Sequence, residues 1–281
     1  MKELYVIGDP IAHSLSPLIQ NTMISALGLK YEYSVKCVKA GQTAEFLIEA
    51  RKSGCAGFNA TMPHKTELVA LVDTLSEDAA LYGAVNTVAI RGGGAHGYNT
   101  DGIGFLQSII ENGINPVNRR AAVLGAGGAG RAVTLKLAQS GCDRIFVCNR
   151  TAEKALALAG EFPGIIEARD FSQKTLAETA DECDMLVNCT PAGMDGVGSS
   201  FESLDFLNRL GEGVPVVDIV YNPSKTELLA AAEKAGHPIM NGLSMLMWQA
   251  LFSLERFAET KIDPDFVMPM VRAALKGKGI R

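Results

Sequence analysis

Apolar positions along the chain alternate between two spacings. Short β-branched or aliphatic runs at residues 4–8, 31–38 and 57–60 predict strands. Residues 86–90 and 95–98 flank glycines 92–94 and predict a hairpin. Helical spacing lies between these runs. Ser16-Pro17 predicts an N-cap followed by proline at the first helical position, opening a helix to about Leu27. A second helix is predicted over 42–52.

The middle of the chain is more regular. Buried-type strands are predicted at 120–124, 144–148, 185–188 and 214–219, with helices near 128–140, 151–161, 172–180 and 224–235. Strand, helix, strand at this spacing predicts a parallel sheet covered by helices on both faces, with right-handed crossovers. After Asn241-Gly242 comes a long helical pattern, then Pro264 and a further helix. Boundaries are expected near Asp101, where a helix over about 102–113 links two halves, and near Gly242. The C-terminal helices are expected to return to the first domain. The fold class is therefore α/β, with 102–241 as one domain and 1–101 with 242–281 as the other.

Composition changes this picture little. Hydrophobic residues make up 47% of the 281 and charged residues 20%, enough to bury a core without disulfides or metal. The net charge is −5, and no Lys/Arg run suggests a nucleic-acid or membrane patch. Any anionic ligand must be held by local donors. Cys37, Cys55, Cys142, Cys148, Cys183 and Cys189 form no C-x-x-C pair and read as reduced thiols. His13, His64, His96 and His237 do not supply metal-ligand spacing, so no metal is expected. The N-terminus turns polar too soon for a signal peptide, and the apolar stretch 243–254 is too short to span a bilayer. A cytoplasmic protein is expected, with a small-molecule substrate and neither nucleic-acid nor membrane partner; monomer and homodimer are both compatible.

Candidate chemistry begins at Ala121, in AAVLGAGGAGRA. Gly125, Gly127 and Gly130 satisfy G-x-G-x-x-G between a predicted strand and a predicted helix, the context that gives the motif meaning. Backbone N–H groups of Gly125, Ala126, Gly127, Gly128, Ala129 and Gly130 can approach a pyrophosphate there, helped by the helix N-terminus. NAD sites usually place an acid at the end of the next strand to hold the ribose 2′-hydroxyl. Here that strand ends in Asn149-Arg150-Thr151, with no acid. The planar, permanently charged Arg150 suits a 2′-phosphate, and Thr151 offers a hydroxyl or a helix N-cap. The expected cofactor is NADP.

Three loops in the first domain carry further candidates: 59–65 with Lys65 at an expected helix start, 83–87, and 99–102. Each alone has a bland explanation, a solvated lysine or a turn-capping Asn or Asp. Together they form a pattern. GDPIAHSLSP at 8–17, FNATMPHK at 58–65, GAVNT at 83–87, NTDG at 99–102, GAGGAGRA at 125–132, NRT at 149–151 and GLSMLMWQA at 242–250 stand in the order seen in shikimate dehydrogenases. The chain resembles that family over nearly its whole length.

The resemblance implies a Rossmann-type NADP domain, and a smaller α/β substrate domain completed by the C-terminal helices. It implies reversible reduction of 3-dehydroshikimate to shikimate. Lys65 and Asp101 match the family's catalytic pair. Ser14 and Ser16 match hydroxyls that hold the substrate carboxylate. Thr61, Asn86, Asp101, Tyr221 and Gln249 match positions that bind ring hydroxyls or carboxylate, and Ile219 and Gly242 match positions near the nicotinamide. Which member of the Lys65–Asp101 pair moves the proton stays open, since such a pair titrates as a unit.

Ala60, Met62 and His64 depart from the residues the family often has there, which bears on pocket shape. One alternative is a quinate/shikimate dehydrogenase, often NAD-using; Ser16 and Thr151 argue against it. A non-catalytic NADP-binding sensor is the alternative from another class, and it would be expected to lack Lys65 or Asp101.

Overall fold

The computed structural model describes residues 1–12 and 14–280; His13 and Arg281 lie outside the described residues. The chain divides into two compact units, Met1–Gly104 with Leu246–Arg281, and Phe105–Met245.

The first unit is built on β1 (Lys2–Gly8), α1 (Ser16–Ala26), β2 (Tyr31–Cys37), α2 (Thr43–Ser53), β3 (Gly57–Ala60), β4 (Thr74–Leu75), α3 (Glu77–Tyr82), β5 (Thr87–Arg91) and β6 (Gly94–Tyr98). The strands form one six-stranded sheet in the order β2-β1-β3-β5-β6-β4. β1 pairs parallel with β2 and β3, while β5 runs antiparallel to both β3 and β6. This alternation brings the end of β1, the end of β3, the start of β5 and the end of β6 to one edge of the sheet. Ile7, Phe46, Phe58, Leu68 and Val88 are buried in its core, where Phe46 meets Phe58 edge-on with ring centroids 5.0 Å apart. Fully burying a side chain such as Phe58 contributes about 1.5–3 kcal/mol.

Helix α4 (Asp101–Glu111) leaves the first unit and enters the second, which holds β7 (Arg120–Leu124), α5 (Gly128–Gln139), β8 (Arg144–Cys148), α6 (Ala152–Glu161), β9 (Ile166–Arg169), α7 (Gln173–Glu182), β10 (Met185–Asn188), β11 (Val216–Asp218), α8 (Glu227–Lys234) and β12 (Ile239–Met240). All six strands pair parallel in the order β12-β11-β10-β7-β8-β9. The order reverses at β7, and ligands of open α/β sheets bind at the carboxyl ends beside such a switch point. Leu124, Phe146, Leu186, Phe206, Val216 and Leu229 belong to its core.

Helices α9 (Leu243–Ala258) and α10 (Pro264–Gly277) end the chain. From Leu246 onward they belong to the first unit: α10 packs on α1, and the Gln20 amide donates to the Ala250 carbonyl at 2.9 Å. Trp248 is buried against Phe252, as core packing.

Several expectations need correction. Ser16 is the first residue of α1, not its cap; Leu15 holds the cap position, and the Ser14 hydroxyl accepts the Ser16 N–H at 3.2 Å. The strand expected over 214–219 is confined to β11, because Ile219 and Val220 turn away to follow Asp218, whose carboxylate accepts the Val220 N–H. The helix expected from 224 starts only at Glu227, after Thr226 caps it through the Leu229 N–H. The linking helix starts at Asp101 and stops at Glu111. The short strands β4, β9 and β12 and the helix α3 carry too few residues to show a period, and the sequence pattern did not distinguish them.

Candidate active site

Four loops meet at the sheet edge of the first unit. Gly8 closes β1 so near the loop after β3 that an added Cβ would meet the Thr61 methyl at 2.4 Å. The Thr61 N–H donates to the Ile7 carbonyl at 2.9 Å and the Asp9 N–H to that of Met62 at 3.1 Å, so the loops holding Ser14 and Thr61 are tied together. Lys65 stands in a turn before the 3₁₀ segment Glu67–Ala70, not at an α-helix start as expected, so its position owes nothing to a helix dipole. Its neighbour His64 is fully buried between the Val38 carbonyl and the Thr43 hydroxyl, each at 2.8 Å, and anchors the turn.

Lys65 and Asp101 form an ion pair at 2.6 Å, with side chains 21% and 8% exposed. The ammonium keeps a face toward solvent; the carboxylate does not. Its second oxygen accepts from the Asn86 amide at 2.7 Å. The Asn99 side chain accepts the Asp101 N–H at 3.0 Å and donates to the Ala84 carbonyl at 2.9 Å, fixing the start of α4. Burial pushes the Tyr82 phenol well above its usual range, and the Asp78 and Asp101 carboxylates add to the effect. Gln249, half-buried on α9, donates to the Leu246 carbonyl at 2.9 Å. Ser14, Ser16, Thr61, Lys65, Asn86, Asp101 and Gln249 thus all belong to the first unit, whereas Tyr221 belongs to the second, where burial raises its phenol.

Three buried residues around this pair were missed: Asn59, Thr87 and Ser253 are 7%, 0% and 0% exposed and hydrogen-bond one another. A signal existed for Ser253, one helical turn beyond Gln249 on the same face of a largely apolar stretch, Met245–Leu254.

In the second unit, the turn after β7 is open at the mouth of α5. Gly125 has φ +101°, which a residue with a Cβ rarely adopts. Gly127 occupies the cap position with no side-chain cap, and no atom lies within 4 Å of a Cβ built at Gly127 or Gly128. The glycine backbone at the start of α5 is therefore uncrowded on that side, and a helix N-terminus without a side-chain cap suits a pyrophosphate. Thr151 is at the N-cap of α6 without a side-chain bond, and Arg150 beside it is exposed with no ion pair among the described residues. Gly242 abuts Ile219, where a Cβ would stand 1.9 Å from the Ile219 carbonyl oxygen. Among the described residues, no three His, Cys, Asp or Glu side chains could hold a metal, and no helix is long and apolar enough to cross a membrane. A groove of about 650 Å³ between α1 and α10, lined by Leu18, Thr22 and Met270, contains none of the candidate residues.

A Rossmann-type sheet with an uncapped glycine turn, joined in one chain to an α/β unit bearing a Lys–carboxylate pair, defines a two-domain dinucleotide-dependent oxidoreductase. Residues 6–88 match the shikimate dehydrogenase substrate binding domain, and residues 108–219 match shikimate / quinate 5-dehydrogenase. A shikimate dehydrogenase (NADP(+)) of Geobacter metallireducens is 39% identical over 280 residues, covering 97% of this chain and 96% of that one. One of Rubrobacter xylanophilus is 41% identical, covering 98% and 95%. The crystal structure of shikimate 5-dehydrogenase from Thermus thermophilus in complex with NADP(H) and shikimate superposes with a TM-score of 0.86 at 36% identity, covering 98% of this chain and 100% of that one. The chain belongs to the shikimate dehydrogenase family.

Proposed function

We propose that the protein catalyses the reversible, NADP-dependent reduction of 3-dehydroshikimate to shikimate. The observation that carries the reading is the Lys65–Asp101 pair, a largely buried ammonium with one face toward solvent, held at 2.6 Å by a buried carboxylate in the unit that matches the family's substrate domain.

The uncapped mouth of α5 fits the pyrophosphate, and the exposed Arg150 with Thr151 fits a 2′-phosphate. The bound dinucleotide supplies the hydride. Everything else falls to this chain's side chains. Ser14 and Ser16 give an acidic protein local donors for a substrate carboxylate, and Thr61, Asn86, Tyr221 and Gln249 hold ring hydroxyls or carboxylate. An analogue lacking one hydroxyl leaves a buried partner unpaired and is rejected. Several such bonds fix which face of the ketone meets the hydride. As the ketone oxygen becomes alkoxide-like, the Lys65 ammonium stabilises its charge and the pair delivers the proton. Asp101 anchors the ammonium and a ring hydroxyl. Ile219 and Gly242 shape the nicotinamide end.

The test is reduction of NADP⁺ and of NAD⁺, followed at the nicotinamide absorbance, with shikimate and quinate in turn. Turnover fastest with shikimate and NADP⁺ supports the reading. Comparable rates with quinate or NAD⁺ reassign the chain to the broader quinate/shikimate group, and no turnover with any pair rejects catalysis.

A further inference from the structure

Behind Asp101 lies a line of buried polar side chains. The Tyr33 hydroxyl donates to Asn59 Oδ1 at 2.8 Å. Asn59 Nδ2 donates to Thr87 Oγ1 at 2.9 Å, and the Thr87 hydroxyl donates to Asn86 Oδ1 at 2.8 Å. Asn86 Nδ2 donates to Asp101 Oδ1 at 2.7 Å, and Lys65 Nζ to Asp101 Oδ2 at 2.6 Å. Tyr33, Asn59, Thr87, Asn86 and Asp101 are 2%, 7%, 0%, 2% and 6% exposed.

Two backbone groups that act in one direction only set the polarity of this line. The Thr100 N–H can only donate, and it meets Asn86 Oδ1 at 2.8 Å. The Asn86 carbonyl can only accept, and it meets Asn59 Nδ2 at 3.1 Å. Both amides are thereby oriented. The Thr87 hydroxyl stands 2.8 Å from Asn86 Oδ1, an oxygen that can only accept, and gives it its proton. Every dipole then points the same way, toward the carboxylate, and each bond polarises the next. Reversing the Asn86 amide would set its oxygen against Asp101 and leave the Thr87 hydroxyl and Thr100 N–H facing an NH₂ group. Ser253 fastens the line to α9: its hydroxyl lies 2.9 Å from Asn59 Nδ2 and 2.8 Å from Thr87 Oγ1, and it donates to the Gln249 carbonyl at 2.8 Å.

We infer that Thr87 is a positioning residue for the reaction: with Asn59 and Tyr33 behind it, its hydroxyl locks the Asn86 amide so that a donor, not an acceptor, faces Asp101 and the ring hydroxyls. This rests on reading Lys65 and Asp101 as the reacting pair. Thr87 touches neither of them and acts only through Asn86.

The experiment uses the full chain with shikimate and NADP⁺. Thr87→Val keeps the shape and removes the hydroxyl; it is expected to lower kcat about tenfold, equivalent to about 1.4 kcal/mol, with the KM for NADP⁺ within about twofold. Thr87→Ser restores the hydroxyl and is expected to recover kcat to within about twofold. Tyr33→Phe, at the far end, is expected to lower kcat about threefold. A Thr87→Val enzyme with unchanged kcat overturns the inference, as does a Thr87→Ser enzyme as slow as Thr87→Val, which would show packing and not the hydroxyl at work. Should Thr87→Val fail to fold, Tyr33→Phe decides: a fall in kcat alone supports the line, and unchanged kcat rejects it. A Lys65→Ala control separates the two readings. If that variant keeps full activity, the pair itself is misassigned; if it is inactive while Thr87→Val is unaffected, only the positioning role fails.

Discussion

Asn149, at the end of β8, bonds back to Ala126 in the glycine turn: its Oδ1 accepts the Ala126 N–H at 2.9 Å, while its Nδ2 donates to the Thr151 carbonyl at 2.8 Å. One side chain thus spans the glycine turn and the segment bearing Arg150. The two residues divide the work differently, and substitution separates them. Arg150→Ala is expected to raise the KM for NADP⁺ about ten- to a hundredfold, the loss of a charge-assisted phosphate contact, while leaving that for NAD⁺ little changed. Asn149→Ala is expected to weaken both cofactors together. Steady-state kinetics with each cofactor at saturating shikimate checks this, and equal weakening by Arg150→Ala would remove the 2′-phosphate from its role.

Lys65 belongs to the first unit and the glycine turn to the second. Lys65→Ala is therefore expected to lower kcat by about a thousandfold or more, within the range of a lost general acid with its charge, and to leave NADPH affinity by fluorescence titration unchanged. Parallel loss of both would remove Lys65 from the chemistry and make it a structural residue.

At Gly242 there is no room for a side chain, since a Cβ would stand 1.9 Å from the Ile219 oxygen and 2.4 Å from its carbonyl carbon. Both contacts are backbone, so Gly242→Ala must displace the chain after β11. A stability loss of about 1–3 kcal/mol is expected, with a higher KM for the cofactor. Chemical denaturation together with NADP⁺ kinetics tests it; a variant with native stability and KM would show that the segment moves at little cost.

Asp218 gives a pH signature. Burial pushes its carboxyl up to about 6, against the hydrogen bonds from Thr226, Val220 and Asn188. The folded chain thus binds this proton more tightly than the unfolded one, where the ordinary value is 3.8. Its contribution favours folding at low pH and is lost as pH rises through the window from about 4 to about 6. Asp218→Asn lacks this titration. Across that window, the melting temperature of the unsubstituted chain should fall relative to that of the variant, then run parallel above it. Curves parallel throughout would show that the carboxyl titrates normally.

The parallel sheet of the second unit was legible because β7, β8 and β10 are buried on both faces and read as unbroken apolar runs. β12 and β4 are two residues each and show no period at all. The Lys65–Asp101 pair proposed to react could be picked out only through ordered motifs, since each residue taken singly resembles any solvated lysine or any turn-capping acid. What lies behind it was not legible. Asn59, Thr87 and Ser253 come from β3, β5 and α9, and nothing local in those segments states that their polar atoms share one buried point. The Ser16 cap was misplaced by one residue: Leu15 holds the cap position without a side-chain bond, a position the sequence pattern does not mark.

The interleaving of the two units orders their assembly on the ribosome. Residues 105–245 are contiguous and can fold as soon as they emerge. The earlier segment, Met1–Gly104, cannot finish, because Gln20 and Asn59 find their partners at Ala250 and Ser253 on α9. During synthesis the nucleotide unit is therefore complete while the sheet edge that carries Lys65 and Asp101 still lacks its α9 partners. The sheet edge proposed for the reaction, coded mostly in the first third of the message, is among the last regions of the molecule to close.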